Sequence, residues 1–293
     1  IGKEVATMTW ASILALLHGN EADDIVTDAA LTLGRTFGAC VNGLIVRPDP
    51  RDAVRLAVDG MSPPMIESVI DAARGESERR TARARQSFET RSRAQGIDTA
   101  VDKTVPGACA RWHEEVALAT DRIAYHGRLA DVVVIAPPAA GGDETDGAIE
   151  AVLFETARPL LLAGTGDFNA IGGTALVAWN GSRESVRAVT DALPLLSRAG
   201  RVLAIGVDES GKRHPPTDAL CDYLARHSVA SEHLILPGGK GAVAPLLLEK
   251  ASELGADLLV MGAYGHSRLR ELVLGGVTRQ VLAEATIPVV MAH

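Results

Sequence analysis

This 293-residue sequence predicts an α/β protein of two tandem domains, each an open, mainly parallel five-stranded sheet flanked by helices. Three observations predict it. Short apolar runs recur without polar alternation, as in strands buried on both faces. Helical stretches separate those runs, which is the pattern of βαβ units. The second half also repeats landmarks of the first, as a duplication would.

In chain order, the apolar runs of the first half are Ile13 to Leu17, Val41 to Val46, Val132 to Ala136 and Leu160 to Ala163. Those of the second are Ala175 to Trp179, Val202 to Val207, Leu234 to Leu236, Leu258 to Met261 and Pro288 to Met291. Helical stretches cover Ala22 to Thr36, Pro64 to Ala94, Ser182 to Arg198 and Val243 to Leu254. Asp131 and Asp257 each precede an apolar run, and Pro159 and Pro288 each follow from a similar segment downstream. The second copy is three residues longer between these landmarks, and the extra length falls in a Gly-rich loop. Gly, Thr, Asp and Asn cluster at 164–173, so the expected domains are 8–165 and 172–293.

Composition limits the function classes. Aromatics are 3% against 47% hydrophobic residues, so the cores must be built from Ala, Val, Leu and Ile. A net charge of −8 argues against broad binding to nucleic acid, which needs a basic surface. No apolar run approaches the roughly 20 residues of a membrane helix, so no membrane partner is expected. The stretch Trp10 to Leu17 reads as a buried strand, because it is short and lacks a cleavage pattern. Met8 is a candidate natural start. Cys40, Cys109 and Cys221 are odd in number, widely spaced and free of any CxxC pairing. They predict three free thiols, no structural zinc and a cytoplasmic location.

The sharpest motif runs from Gly262 to Thr278, with glycines at 262, 265, 275 and 276. It follows the run ending at Met261 and precedes a helical pattern, Thr278 to Glu284. Glycine lets a backbone turn sharply and approach a ligand, and free amides at a helix start attract anions. The spacing is neither the dinucleotide pattern GxGxxG nor a P-loop ending in Gly-Lys-Ser/Thr. On physical grounds alone, the glycines serve equally well as turns and helix stops.

The spacing Gly-x2-Gly-x9-Gly, followed by a small residue, Val and Thr, resembles the universal stress protein family. The flanking Ile287-to-Val290 segment and the opening Leu176 to Glu184 are similar to that family too. The resemblance covers about residues 174 to 293, and more weakly about 10 to 163, so the whole chain resembles a tandem member with two Rossmann-like domains. It implies an ATP-binding stress-response or regulatory protein, with Mg2+ as an accompanying ion. It also implies an intramolecular pseudo-dimer joined through the two last strands, and a homodimer as a further state. Gly262 and Gly265 would lie along ribose and phosphates. Gly275, Gly276, Val277 and Thr278 would cap the phosphates, Val207 and Met261 would border the adenine, and Ala178 would belong to the nucleotide-binding set. Asn180 falls where nucleotide-binding members usually carry Asp, and Gly276 where a hydroxyl residue is common.

His266 and Arg268 lie inside the loop, within reach of phosphates or exposed on a turn. In the first half the loop position holds Pro137 and Pro138, which lack N–H groups, with Asp143, Glu144 and Asp146 beside them, so no anion is expected there. His18 stands where the second half has Asn180. Ser182 suits a helix N-cap, since the GxSxG elbow is absent. Tyr264 suits packing. The Arg-rich run 74–93 reads as a solvated helix with internal charge pairs. With no evident general base or carboxylate cluster, a dedicated enzyme is not expected, and slow ATP hydrolysis is the only turnover this reading admits. The alternatives are a nucleotide-free interaction or dimerisation module, and an enzyme acting on another phosphorylated ligand.

Overall fold

The computed structural model describes residues 9–51, 62–99, 107–141, 144–165, 168, 172–209, 216–239, 241–264 and 276–293. In the first half the strands are β1 (Ser12–Leu17), β2 (Cys40–Arg47), β3 (Cys109–Val116), β4 (Val132–Ile135) and β5 (Leu160–Leu162). The helices are α1 (Asp23–Phe37), α2 (Pro63–Ala94), α3 (Ala119–Gly127), α4 (Pro138–Gly141) and α5 (Glu144–Glu155). In the second half come β6 (Thr174–Ala178), α6 (Arg183–Leu196), β7 (Arg201–Glu209), α7 (Thr217–Arg226) and β8 (Glu232–Gly238). They are followed by α8 (Val243–Glu253), β9 (Leu258–Gly262), α9 (Gly276–Glu284) and β10 (Val289–Ala292).

The strands form one sheet in the order β3-β2-β1-β4-β5-β10-β9-β6-β7-β8. Each half contributes a parallel set in the same internal order. The sets meet where β10 pairs antiparallel with β5, Val290 opposite Leu161. This is the apposition of last strands expected from the sequence. β4 is buried on both faces along its whole length, and β5 and β10 likewise, which is why these runs read as apolar without alternation. Two apolar layers sandwich the sheet and cross the joint. One packs α1, α2, α6 and α7 through Leu31, Phe88, Leu195 and Leu224. The other packs α3, α5, α8 and α9 through Ile123, Val152, Leu247 and Leu282.

The duplicated landmarks perform matching jobs. Asp131 Oδ2 accepts the backbone N–H of Ala11 at 2.6 Å and of Ser12 at 3.0 Å, holding the start of β1 beside β4. Asp257 Oδ2 accepts from Gly173 N at 2.9 Å, just ahead of β6. Pro159 O and Pro288 O accept from Val133 N and Leu259 N at 3.1 and 3.0 Å. The turns after β1 and β6 also match, with Gly19 at φ 75° and Gly181 at φ 70°, a left-handed backbone that glycine adopts without steric cost.

Two expectations are corrected. Cys40 and Cys109 are joined by a disulfide, and only Cys221 is free. The parallel register sets Cys40 opposite Cys109, with Cα atoms 4.4 Å apart, a contact between positions 69 residues distant that no local spacing announces. The second correction concerns β7, which runs to Glu209, so Val207 lies within the strand rather than at its end. The Arg-rich run behaves as expected, with Arg79 to Glu76 at 2.7 Å and Arg85 to Glu89 at 2.8 Å along an exposed helix. Among the described residues, no helix is long and apolar enough to cross a membrane.

Candidate functional site

In the second half, β6 lies between β7 and β9, and the chain leaves β6 toward opposite sides of the sheet. A crevice opens beyond the strand ends at such a switch point. At that point in this chain stand Ala178 at the end of β6, Val207 in β7, and Met261 and Gly262 at the end of β9. Met261 is buried, and Ala178 and Val207 pack half-buried against the same apolar layer. They supply an apolar wall of the kind an aromatic base could rest on.

The turn after β6 forms one lip. Trp179 N donates to Ile205 O at 2.8 Å, tying the turn to β7. Asn180 is exposed, and its Oδ1 accepts from Ser182 N at 3.0 Å. Ser182 caps α6, its Oγ accepting from Ser185 N at 3.1 Å, which is the N-cap role read from the sequence. Behind it Glu184 is buried. Burial opposes its charge, but its own backbone N–H, the Ser182 hydroxyl, Arg183 and His293 together hold its carboxyl below the usual glutamate range.

The base of the Gly-rich loop forms the other lip. A Cβ on Gly262 would lie 2.5 Å from Ser185 N and 2.7 Å from Glu184 C, so this glycine allows β9 to touch the start of α6. Tyr264 adopts φ 58°, and its N–H donates to Thr278 Oγ1 at 3.3 Å. Thr278 is 4% exposed, so its side chain braces the loop from inside rather than facing outward. Gly276, the first described residue of α9, is exposed, and no described residue lies within 4 Å of where its Cβ would stand. Gly265, His266, Arg268 and Gly275 lie outside the described residues.

Tyr264 packs, as expected from the sequence. Its ring centroid lies 5.0 Å from Phe154 of α5, and Phe154 in turn lies 4.7 Å from His293. Burial, with Glu150 and Asp146 nearby, pushes the Tyr264 phenol well above its ordinary pKa. Sequence reasoning missed this contribution of the first half to the second-half site. The isolated aromatic in α5 was its only signal.

The matching place in the first half is spanned by the chain itself. The buried Asp23 carboxylate accepts the N–H groups of His18 and Gly19, each at 2.8 Å. Burial holds this carboxyl above the usual aspartate range despite those bonds. Arg80 of α2 donates to His18 O at 3.0 and 2.6 Å, and a Cβ on Gly19 would meet Arg80 Cβ at 2.6 Å. Asn20 Nδ2 reaches across to Gly141 O at 3.1 Å.

Comparison with known proteins gives these features a context. Residues 223–293 match the model of the Universal stress protein family. A 33-residue segment is 64% identical to Universal stress protein Slr1230 of Synechocystis sp., a match taking in 11% of this chain and 12% of that protein. A universal stress protein from Archaeoglobus fulgidus superposes with a TM-score of 0.64 at 18% identity, over 96% of this chain and 97% of that one. A structure described as a putative universal stress protein from Pseudomonas aeruginosa gives 0.57 at 14% identity, over 96% and 92%. At these identities the two structures share the fold of this chain along nearly its whole length.

Proposed function

We propose that this chain, which matches the universal stress protein family in sequence over residues 223–293 and shares the fold of a solved universal stress protein through both halves, binds one adenine nucleotide, ATP, in its second half. The observation that supports this reading is an exposed Gly276, with no described residue within 4 Å of where its Cβ would stand, alongside Ala178, Val207 and Met261 at the sheet's switch point. The residues that hold the nucleotide are Gly262, Gly276, Val277 and Thr278 from the described part of the loop. Asn180 faces the sugar from the opposite lip. ATP in this role is a regulatory or stress-related ligand, and when accompanied by Mg2+ it brings a partly neutralised phosphate chain. Asn180 offers that ion an amide oxygen and no charge.

A second reading draws on one specific observation. Gly262 is required by its contact with α6 alone, and Thr278 Oγ1 is already engaged by Tyr264 N. Both features also suit a module that holds no nucleotide and acts through contacts with other proteins. Isothermal titration separates the readings. ATP is expected to bind at one site per chain, with AMP weaker and inorganic phosphate weaker still. Absence of heat with millimolar ATP would favour the module. Equal binding of unrelated phosphate compounds would point to another phosphorylated ligand.

A further inference from the structure

We propose that Asn180 is a covalent modification site, at which the side-chain amide is lost by attack of the Gly181 backbone nitrogen. The chain has two Asn-Gly dipeptides, Asn42-Gly43 and Asn180-Gly181, and the fold treats them oppositely. Asn180 is exposed in the turn after β6, and Gly181 has φ 70° and no Cβ to shield its nitrogen. Asn180 Oδ1 accepts from Ser182 N at 3.0 Å. A side-chain carbonyl bonded two residues onward is folded back over the intervening peptide, which brings Cγ beside the Gly181 nitrogen. The same hydrogen bond polarises the carbonyl and stabilises negative charge building on Oδ1 during attack, as donors aimed at a developing oxyanion do. Among the described residues Asn180 Nδ2 has no acceptor holding it in place.

Asn42 is the internal contrast. It sits in β2, in ladder register with Leu14 on one side and Arg111 on the other. Both ends of its amide are engaged, Oδ1 with His113 Nε2 at 3.2 Å and Nδ2 with Ser12 Oγ at 3.3 Å. Its neighbour Gly43 is covered by Phe88, whose ring would lie 2.9 Å from an added Cβ. The extended, paired backbone cannot bend to present the Gly43 nitrogen to the side chain.

The chemistry balances with water as the one co-reactant. The Gly181 nitrogen forms a bond to Asn180 Cγ and gives up its proton. The Cγ–Nδ2 bond breaks, and Nδ2 leaves with that proton as ammonia. Water then opens the five-membered ring at either carbonyl, leaving aspartate or isoaspartate. In the aspartate product the carboxylate keeps the bond from Ser182 N, now charge-assisted, and in either product the new charge lies beside the start of α6, where the helix dipole favours negative charge. The turn thereby changes irreversibly from neutral to anionic with age. Its effect on a ligand rests on the nucleotide reading above: a carboxylate on this lip repels metal-free ATP and offers Mg2+ a ligand.

Ageing the folded protein at mildly alkaline pH, followed by peptide mapping and isoaspartate-specific methylation, tests the site. The Asn180 peptide is expected to convert while the Asn42 peptide keeps its amide, and Asn180→Gln is expected to abolish conversion at that position. Conversion of Asn42 at a comparable rate would overturn the proposal. So would an unchanged Asn180 under conditions that convert the same sequence as a free peptide. Titration of Asn180→Asp with ATP in chelator and with Mg-ATP tests the consequence, the first expected to weaken relative to wild type and the second to be retained. If neither wild type nor variant binds ATP, the nucleotide reading fails and the mapping result stands by itself.

Discussion

Replacing Gly262 with Ala tests whether this glycine serves packing before it serves any ligand. The added Cβ would lie 2.5 Å from Ser185 N, 2.7 Å from Glu184 C and 2.9 Å from Glu184 Cβ. Ordinary carbon contacts sit at about 3.5–4.0 Å, so β9 and α6 would have to part by roughly 1 Å. The obstructing atoms are mainly backbone and cannot swing aside. They belong to the capped first turn of α6, whose Ser182–Ser185 bond is 3.1 Å. Overpacking of this kind costs about 1–3 kcal/mol, and a disturbed cap adds about 1 kcal/mol. A chain of this size loses roughly 2–4 °C of Tm per kcal/mol, so a fall of about 4–16 °C is expected. Gly276→Ala is the matched control, because it is exposed and no described residue stands within 4 Å of its Cβ position, and its stability should change by less than about 0.5 kcal/mol. Thermal denaturation of both variants without nucleotide decides the matter. A Gly262→Ala protein as stable as wild type, yet deficient in ATP binding, would refute the packing argument and assign the glycine to the ligand.

Gly276→Ser adds a hydroxyl at an exposed position with no described residue within 4 Å and is expected to tighten ATP about fivefold, the equivalent of about 1 kcal/mol; unchanged affinity by titration would place the phosphates elsewhere. Alkylation of the unfolded protein without reductant should label Cys221 alone, and reduction should release two more thiols and lower stability by about 4 kcal/mol for a 69-residue separation; three labelled thiols before reduction would count against the crosslink. Asp23 has its folded pKa raised by burial, so the folded state holds that proton more tightly than the unfolded chain. Its contribution favours folding below the ordinary aspartate range and is lost as pH rises through the folded value. Urea midpoints of wild type should fall across that window relative to Asp23→Asn, and parallel profiles would contradict the assignment.

The fold was legible wherever both faces of a strand are covered, because burial then leaves no polar residue to break the run, as in Val132 to Ile135. β3 was not legible. It is an edge strand whose exposed and half-exposed positions carry Arg111, His113, Glu114 and Glu115, so it lacks the apolar run that marked its neighbours. The disulfide was hidden for another reason, since the register that joins Cys40 to Cys109 depends on long-range pairing. At the site, sequence identified the glycines but not the separate reason for each. Gly262 answers to a helix behind it, whereas Gly276 is exposed and meets no described residue within 4 Å. Thr278 read as an outward donor because its inward bond to Tyr264 N depends on the left-handed turn at residue 264.

The antiparallel joint between β5 and β10 has a consequence for biosynthesis. Leu160 to Leu162 are synthesised well before Val289 to Met291, their partners in the sheet. At a ribosomal rate of about 5–20 residues per second, the intervening chain takes on the order of 10 s to appear. Throughout that interval β5 is paired with β4 on one edge, but its other, hydrogen-bond-competent edge has no companion from its own chain. Neighbouring nascent chains on one messenger present the same strand at the same stage. Crowded translation therefore favours mispairing between copies, and a chaperone that shields this edge until the second half emerges would raise the yield of correctly joined monomer.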